Sequence, residues 1–211
     1  MNEKMDLKKF EKKAWVTFFQ DGMWDIFLGF ILLSFGIIPF LEEIGVPELL
    51  NYLLFFGLPY LILYMGKKFI TVPRIGHVKF GVKREKKKKK TAIVLIFSVI
   101  FGFVVLLLTI TNAIPFIADI HTGAVLFSVN AIIVLSLMAY FLDFNRLYLY
   151  GWFFAASIAL IELSRPAIGT TYDNIIGFGS FGIIMIIIVS IYLIRFLQKY
   201  PLPLEETLNG N

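Results

Sequence analysis

The sequence predicts an all-α protein: a polytopic transmembrane helix bundle of about six spans, with an N-terminal interfacial helix and a short cytoplasmic strand-like loop. Three observations lead there. The 211 residues are 58% hydrophobic and only 17% charged, with 23 Phe and a mean hydropathy of +0.80, whereas soluble domains run at about 45–50% apolar and about 25% charged. Six apolar stretches are long enough to cross a bilayer core of about 30 Å as helices. Nineteen of the 20 Lys and Arg fall on one set of alternating connections. A water-soluble globule and a disordered chain are both excluded. The lack of Cys removes disulfides, thiolate nucleophiles and Cys-ligated metals from consideration.

The chain opens with a helix over 4–20. Leu7, Phe10, Ala14 and Phe18 recur at helical spacing, Lys8, Lys9, Lys12 and Lys13 occupy other angles, and Trp15 and Trp24 are expected at headgroup depth. It reads as a membrane-sensing or partner-docking helix, or more plainly as an anchor that sets the angle of the first span. Residues 3–20 are rich in charge, and no small-residue cleavage site follows the first apolar run, so a removable signal peptide is not expected.

The spans are expected at 25–41, 49–65, 92–114, 123–142, 147–163 and 175–196. Runs such as Ile183 to Val189 do not alternate in polarity, which makes these helices rather than barrel strands. Asp25, Glu162 and Arg195 are the ionisable acids and bases inside them, each near a span end where a side chain can reach the headgroups. Pro59 removes a helical hydrogen bond and crowds the Phe55 carbonyl, so a kink is expected near Gly57. Gly151, Ala155 and Ala159 form a small-residue ridge suited to close helix packing, with Ser157 on another face, and Gly177, Gly179, Ser180 and Gly182 slim the start of span six. Asn130, an amide well inside span four, serves either as a substrate ligand or as an interhelical hydrogen bond.

The connections divide the chain into an interfacial helix at 1–24, spans one and two within 25–65, a basic loop at 66–91, spans three to six within 92–197, and a tail at 198–211. In the basic loop, Phe69 to Lys83 is β-branched, aromatic and punctuated by Pro73, Gly76 and Gly81, and Val78, Phe80 and Val82 alternate with polar or small residues; a short strand is expected. Lys83, Arg84, Lys86, Lys87, Lys88, Lys89 and Lys90 follow, a cluster suited to anionic lipid headgroups or to fixing the loop inside the cell. Nucleic acid is not an expected partner, because the cluster lacks stacking aromatics. His77 is a lone histidine that reads as a proton sensor or as a solvated or packed side chain.

Chemistry is thinly represented. Asp119 and His121 together with Glu162, Arg165, Tyr172 and Asp173 could form a small polar cup or a weak metal site, although Asp119, Thr122, Asp173 and Asn174 more plainly suit helix capping. No phosphate-binding loop, nucleophile elbow or zinc-protease motif occurs. No cofactor and no catalytic activity are expected. The composition points to a non-enzymatic accessory or regulatory membrane component that meets the lipid bilayer, anionic lipids and a protein partner or second copy of itself; a small oligomeric transporter or channel is the alternative.

Asp21-Gly22-Met23-Trp24-Asp25-Ile26-Phe27-Leu28-Gly29, Pro73-Arg74-Ile75-Gly76-His77-Val78-Lys79-Phe80 and Tyr200-Pro201-Leu202-Pro203 resemble segments of uncharacterised small multi-pass integral membrane proteins of bacteria and archaea. The resemblance implies a prokaryotic cell membrane and no particular activity.

Basic connections stay cytoplasmic, so both termini and the loop at 66–91 are expected inside. In this Cys-free chain, a single Cys placed at position 121 should react with an impermeant thiol reagent in whole cells, while one at position 85 should be shielded. The reverse pattern would overturn the orientation.

Overall fold

The computed structural model describes residues 2–76, 80–111, 113 and 120–202, and among these residues the chain forms helices joined by short turns, with no strand. An amphipathic α1 (Asn2–Gln20) precedes six helices long and apolar enough to cross a membrane. These are α2 (Met23–Glu43), α3 (Glu48–Ile75), α4 (Val82–Ile110), α5 (Ile120–Leu142), α6 (Arg146–Ile168) and α7 (Tyr172–Lys199). The protein is a multi-pass membrane protein.

The principal packing sets α3 against α2, α2 against α7, α7 against α6, α6 against α5 and α5 against α4. The spans therefore stand in a row that runs second, first, sixth, fifth, fourth, third. One apolar cluster, centred on Trp15, Leu32, Leu135, Ala139, Leu147, Tyr150 and Met185, runs through the middle of that row. At its edge, α4 packs chiefly on α5 and leaves Phe97, Val99 and Phe103 exposed. Lipid chains solvate such a face as well as protein does, so no partner is needed to cover it.

Where lipid removes the hydrophobic drive between helices, close packing by small residues holds them together. Gly22, Gly29 and Gly36 recur every seven residues and place a bare backbone stripe of α2 against α7. A Cβ on Gly36 would lie 2.7 Å from the Gly179 nitrogen and 3.1 Å from the Asn174 carbonyl oxygen. A Cβ on Gly182 would lie 2.9 Å from the Leu33 nitrogen. Gly22 also takes φ 87°, the left-handed turn that separates α1 from α2.

Three π-helical turns interrupt the spans, at Leu53–Gly57 and Gly66–Thr71 in α3 and Ile175–Gly179 in α7. The first sits where the Pro59 kink is expected. The Leu58 amide reaches back to the Leu53 carbonyl, so the turn widens just before the proline. Phe35 of α2 is gripped between Phe55 and Phe178, one from each of two π-turns, at centroid distances of 4.7 and 5.5 Å.

Among the described residues of 69–83 no strand forms: Phe69–Ile75 continue α3, and Val82 and Lys83 already belong to α4. Gly76, at φ 75°, ends α3, and His77, Val78 and Lys79 lie outside the described residues. Lys, Arg and Glu are strong helix formers, and winding them onto an adjoining apolar helix avoids a second nucleation event. The cation run is thus the first two turns of a 29-residue helix rather than a loop.

The small-residue ridge of α6 divides. Gly151 is buried against Ile132 and Leu135 of α5, Ala155 is half-buried, and Ala159 is exposed. Ser157, expected on another face, is fully buried, and its carbonyl would lie 2.7 Å from a Cβ on Gly177 of α7. Replacing Ser157 by Leu should therefore be more disruptive than replacing Ala155 by Leu. A glycine inside the α2–α7 seam and one outside any seam supply a sharper comparison. Gly36→Ala should lower the thermal stability of the detergent-solubilised protein by about 1–3 kcal/mol, since backbone meets backbone there. Gly102→Ala on α4, whose new methyl would find only a Phe127 ring carbon at 3.8 Å, should be neutral or stabilising by about 0.5–1 kcal/mol. Equal melting temperatures for the two variants would contradict the α2–α7 seam.

Candidate functional site

Most of the basic residues gather at one end of the row, where α1, α3, α5 and α7 finish and α2, α4 and α6 begin. This basic end is organised around carboxylates. Asp21 and Asp25 stand four positions apart on either side of the Gly22 turn, and both are 0% exposed. Asp21 Oδ1 accepts the Met23 amide at 3.1 Å and so caps the first turn of α2. Its Oδ2 accepts Lys67 Nζ at 2.6 Å and the Thr71 hydroxyl, both from the end of α3.

Asp25 turns toward α6. Its Oδ1 accepts the Tyr150 hydroxyl at 2.6 Å, and Arg146 Nη2 lies 2.9 Å from Oδ2 as an ion pair while its N–H is aimed at the Phe19 carbonyl, 3.1 Å away. Asp25 was expected to reach the headgroups from the span end. It is instead drawn into the bundle, because a phenol and a guanidinium supply more than the interface would.

The same cations serve the end of α1. The last carbonyls of a helix lack intrahelical partners and carry its negative dipole end. Lys67 Nζ donates to the Phe18 carbonyl, Arg146 donates to that of Phe19, and Lys67 also stands 3.8 Å from the Phe18 ring centroid. Trp15, expected at headgroup depth, is fully buried: its indole N–H donates to the Leu142 carbonyl in the last turn of α5 at 2.7 Å, and its ring meets Phe19 and Phe80 edge-on. Trp24 is half-buried against the same cluster. A helix read as lying on the interface thus has its aromatic face folded onto the ends of the spans.

The basic run of α4 splits into two faces. Arg84 and Lys87 both bond Asp143 Oδ2, the latter at 2.9 Å. Asp143 holds φ 55° in the turn between α5 and α6, a conformation that Asp tolerates better than most residues. Partial burial pushes the Asp143 carboxyl up, but the hydrogen bonds from Lys87 and Arg84 and their two charges together bring it below the ordinary carboxylate range. Arg84 and Lys88 also stand 5.2 and 5.5 Å from the Trp15 ring, and Glu11 of α1 accepts the Gly81 amide at 3.1 Å. Lys83, Lys86, Lys88, Lys89 and Lys90 are exposed.

Elsewhere several polar groups pair within or between helices, while the buried Asn51 amide of α3 has no hydrogen-bond partner among the described residues. Asn130 donates to Ser98 of α4 at 2.9 Å, an interhelical hydrogen bond, and Ser128 returns to the Ala124 carbonyl of its own helix. At the opposite end Arg165 joins Glu162 at 3.0 Å and Asp173 at 2.9 Å, so three of the residues expected in the polar cup meet, Tyr172 stays exposed, and the Asp173 carboxylate is engaged by Arg165 and Asn174. Asn112, Asp119 and the His121 side chain lie outside the described residues. Among the described residues, no three His, Asp or Glu side chains converge to hold a metal ion.

Sequence reasoning missed Asp21, Lys67, Thr71, Tyr150 and Arg146 as a set. Their partners lie 46 to 127 positions away along the chain, and local spacing carries no trace of such pairs. Removing one member of a buried ion pair costs about 3–5 kcal/mol, because the other charge is stranded. Arg146→Met should therefore destabilise the protein by that order, and adding Asp25→Asn should recover part of the loss. Tyr150→Phe should cost about 1.5–3 kcal/mol, the value of a hydrogen bond to a charged group. Thermal unfolding in mild detergent measures all three; no recovery in the double variant would show that Asp25 is not the charge that Arg146 balances. Compared with known proteins, the chain matches no family model, no curated protein and no solved structure.

Proposed function

We propose that this chain is a non-enzymatic accessory or regulatory component of a prokaryotic cell membrane, with both termini cytoplasmic and a basic end that engages anionic lipid. The observation that carries the reading is the continuity of α4: Lys83 to Lys90 wind without a break into the most lipid-exposed span. Lysines so placed stand one or two turns beyond the hydrocarbon, where each is worth about 1 kcal/mol against an anionic surface. Arg84 and Lys87 are held by Asp143 and fix the helix; Lys83, Lys86, Lys89 and Lys90 are the members free to meet headgroups. Asp21, Asp25 and Asp143 each face a cation, which favours a binding and organising role over acid–base chemistry.

Replacing Lys83, Lys86, Lys89 and Lys90 by Gln removes the outward charges and keeps the tie to Asp143. In liposomes containing phosphatidylglycerol at low salt, the parent should protect the start of α4 from protease, and the protection should fade as salt rises past the range where the Debye length is about 10 Å. The variant should show only the protection seen in neutral liposomes. Equal protection of the parent in anionic and neutral liposomes would overturn the proposal.

A further inference from the structure

Beside the α4 face, the basic end contains a cleft of about 760 Å³ between α1, the α5–α6 turn and the last turns of α7. Four cations line it, Lys12, Arg146, Arg195 and Lys199, from three different helices. The one carboxylate on its wall, Asp143, already accepts Arg84 and Lys87. Tyr192, Arg195, Phe196 and Lys199 follow 3–4 spacing, so one face of α7 delivers a phenol, two charges and an apolar floor to the same space.

Arg146 is the centre of this arrangement. Its guanidinium stands 4.4 Å from the Tyr192 ring centroid and its Nη2 is committed to Phe19 and Asp25, while its Nη1 is buried without a hydrogen-bond partner among the described residues. A guanidinium with Nη2 committed and Nη1 unfilled, in a cleft rich in positive charge, is suited to a charge-assisted bond to an oxyanion.

We propose that this cleft binds the phosphate of a single anionic phospholipid, with Arg146, Arg195 and Lys199 on the phosphate oxygens and Lys12 closing from α1. The proposal rests on the membrane placement given above and assigns to the basic end a discrete site in addition to the diffuse attraction of α4. Its volume suits a headgroup with its glycerol, within the roughly 300–1,000 Å³ of small-molecule sites. Lipid rather than soluble phosphate is the occupant because the cleft opens at the ends of three spans. There Val16, Ala139 and Phe196 offer an apolar wall, and exposed Tyr140 and Tyr148 stand as rings do at headgroup depth.

The test uses the full chain, freed of lipid in mild detergent and followed by thermal unfolding. Three probes are titrated: short-chain phosphatidylglycerol, short-chain phosphatidylcholine and glycerol 3-phosphate. Phosphatidylglycerol should raise the melting temperature saturably, and phosphatidylcholine should not. Arg195→Gln with Lys199→Gln, both exposed positions, should require about tenfold more phosphatidylglycerol or worse, the loss expected when charge-assisted bonds to phosphate are removed. Lys12→Gln alone should weaken binding in the same direction, and Arg195→Lys with Lys199→Arg should retain it. The charge-matched change Lys9→Gln with Lys13→Gln, on exposed positions outside the cleft lining, should respond as the parent does.

A parent-like response from both Arg195→Gln/Lys199→Gln and Lys12→Gln would overturn the site. A full parent shift with glycerol 3-phosphate at the same concentration would overturn the lipid assignment in favour of a soluble phosphate. Vesicle protection of α4 reads the other proposal independently, since none of the cleft variants touches Lys83, Lys86, Lys89 or Lys90.

Discussion

Two carboxylates buried beside one turn impose most of the order at the basic end. A charge removed from water is tolerated only when it meets its opposite and enough donors. Asp21 draws in Lys67 and Thr71 from the end of α3, and Asp25 draws in Tyr150 and Arg146 from α6. The α1–α2 turn thereby fixes the second and fifth spans, which lie on opposite sides of the first and sixth in the row. The cations recruited for the carboxylates also satisfy the last carbonyls of α1, so a single set of charges holds the turn, the helix end and two spans.

Complementary to this polar clamp is a packing constraint that needs no charge. Along α2 and α7 the backbones approach too closely for a side chain at Gly36 or Gly182, and α6 meets α7 in the same manner through Ser157 and Gly177. Such seams replace the hydrophobic drive that a bilayer does not supply. The clamp ties the spans at one end, and the glycine seams carry the alignment through the membrane. Three π-turns widen the helices where backbone must adjust to Pro59, to the Asp21 site and to the α2 seam.

The distribution of positive charge follows from the same accounting of partners. Asp21, Asp25 and Asp143 take Lys67, Arg146, Arg84 and Lys87, while Lys83, Lys86, Lys89 and Lys90 face outward along α4 and Lys12, Arg195 and Lys199 line the cleft beside α7. Both proposals are built on that surplus. They differ in kind: the α4 face offers a row of solvated charges, whereas the cleft offers a guanidinium oriented by Asp25, Phe19 and Tyr192.

The span count and the gathering of basic connections at one end were determined by the sequence alone, because hydropathy over about 20 residues and the placement of Lys and Arg are local quantities that no tertiary contact can change. The seven-residue spacing of Gly22, Gly29 and Gly36 is present in the sequence, yet the stripe gains meaning only from the α7 backbone packed against it. The helices at either end of 69–83 were not legible: alternation in Val78, Phe80 and Val82 resembled a strand, yet Phe69–Ile75 and Val82–Lys83 extend helices already nucleated in the adjoining spans. Trp15 and Asp25 show the limit most clearly. Both have side chains that suit a headgroup layer, and each is buried because α5, α6 and the turn at Asp21 bring it a partner more than a hundred residues away. Pairings of that range depend on which spans become neighbours, and neighbourhood is decided by the packing of all six helices together.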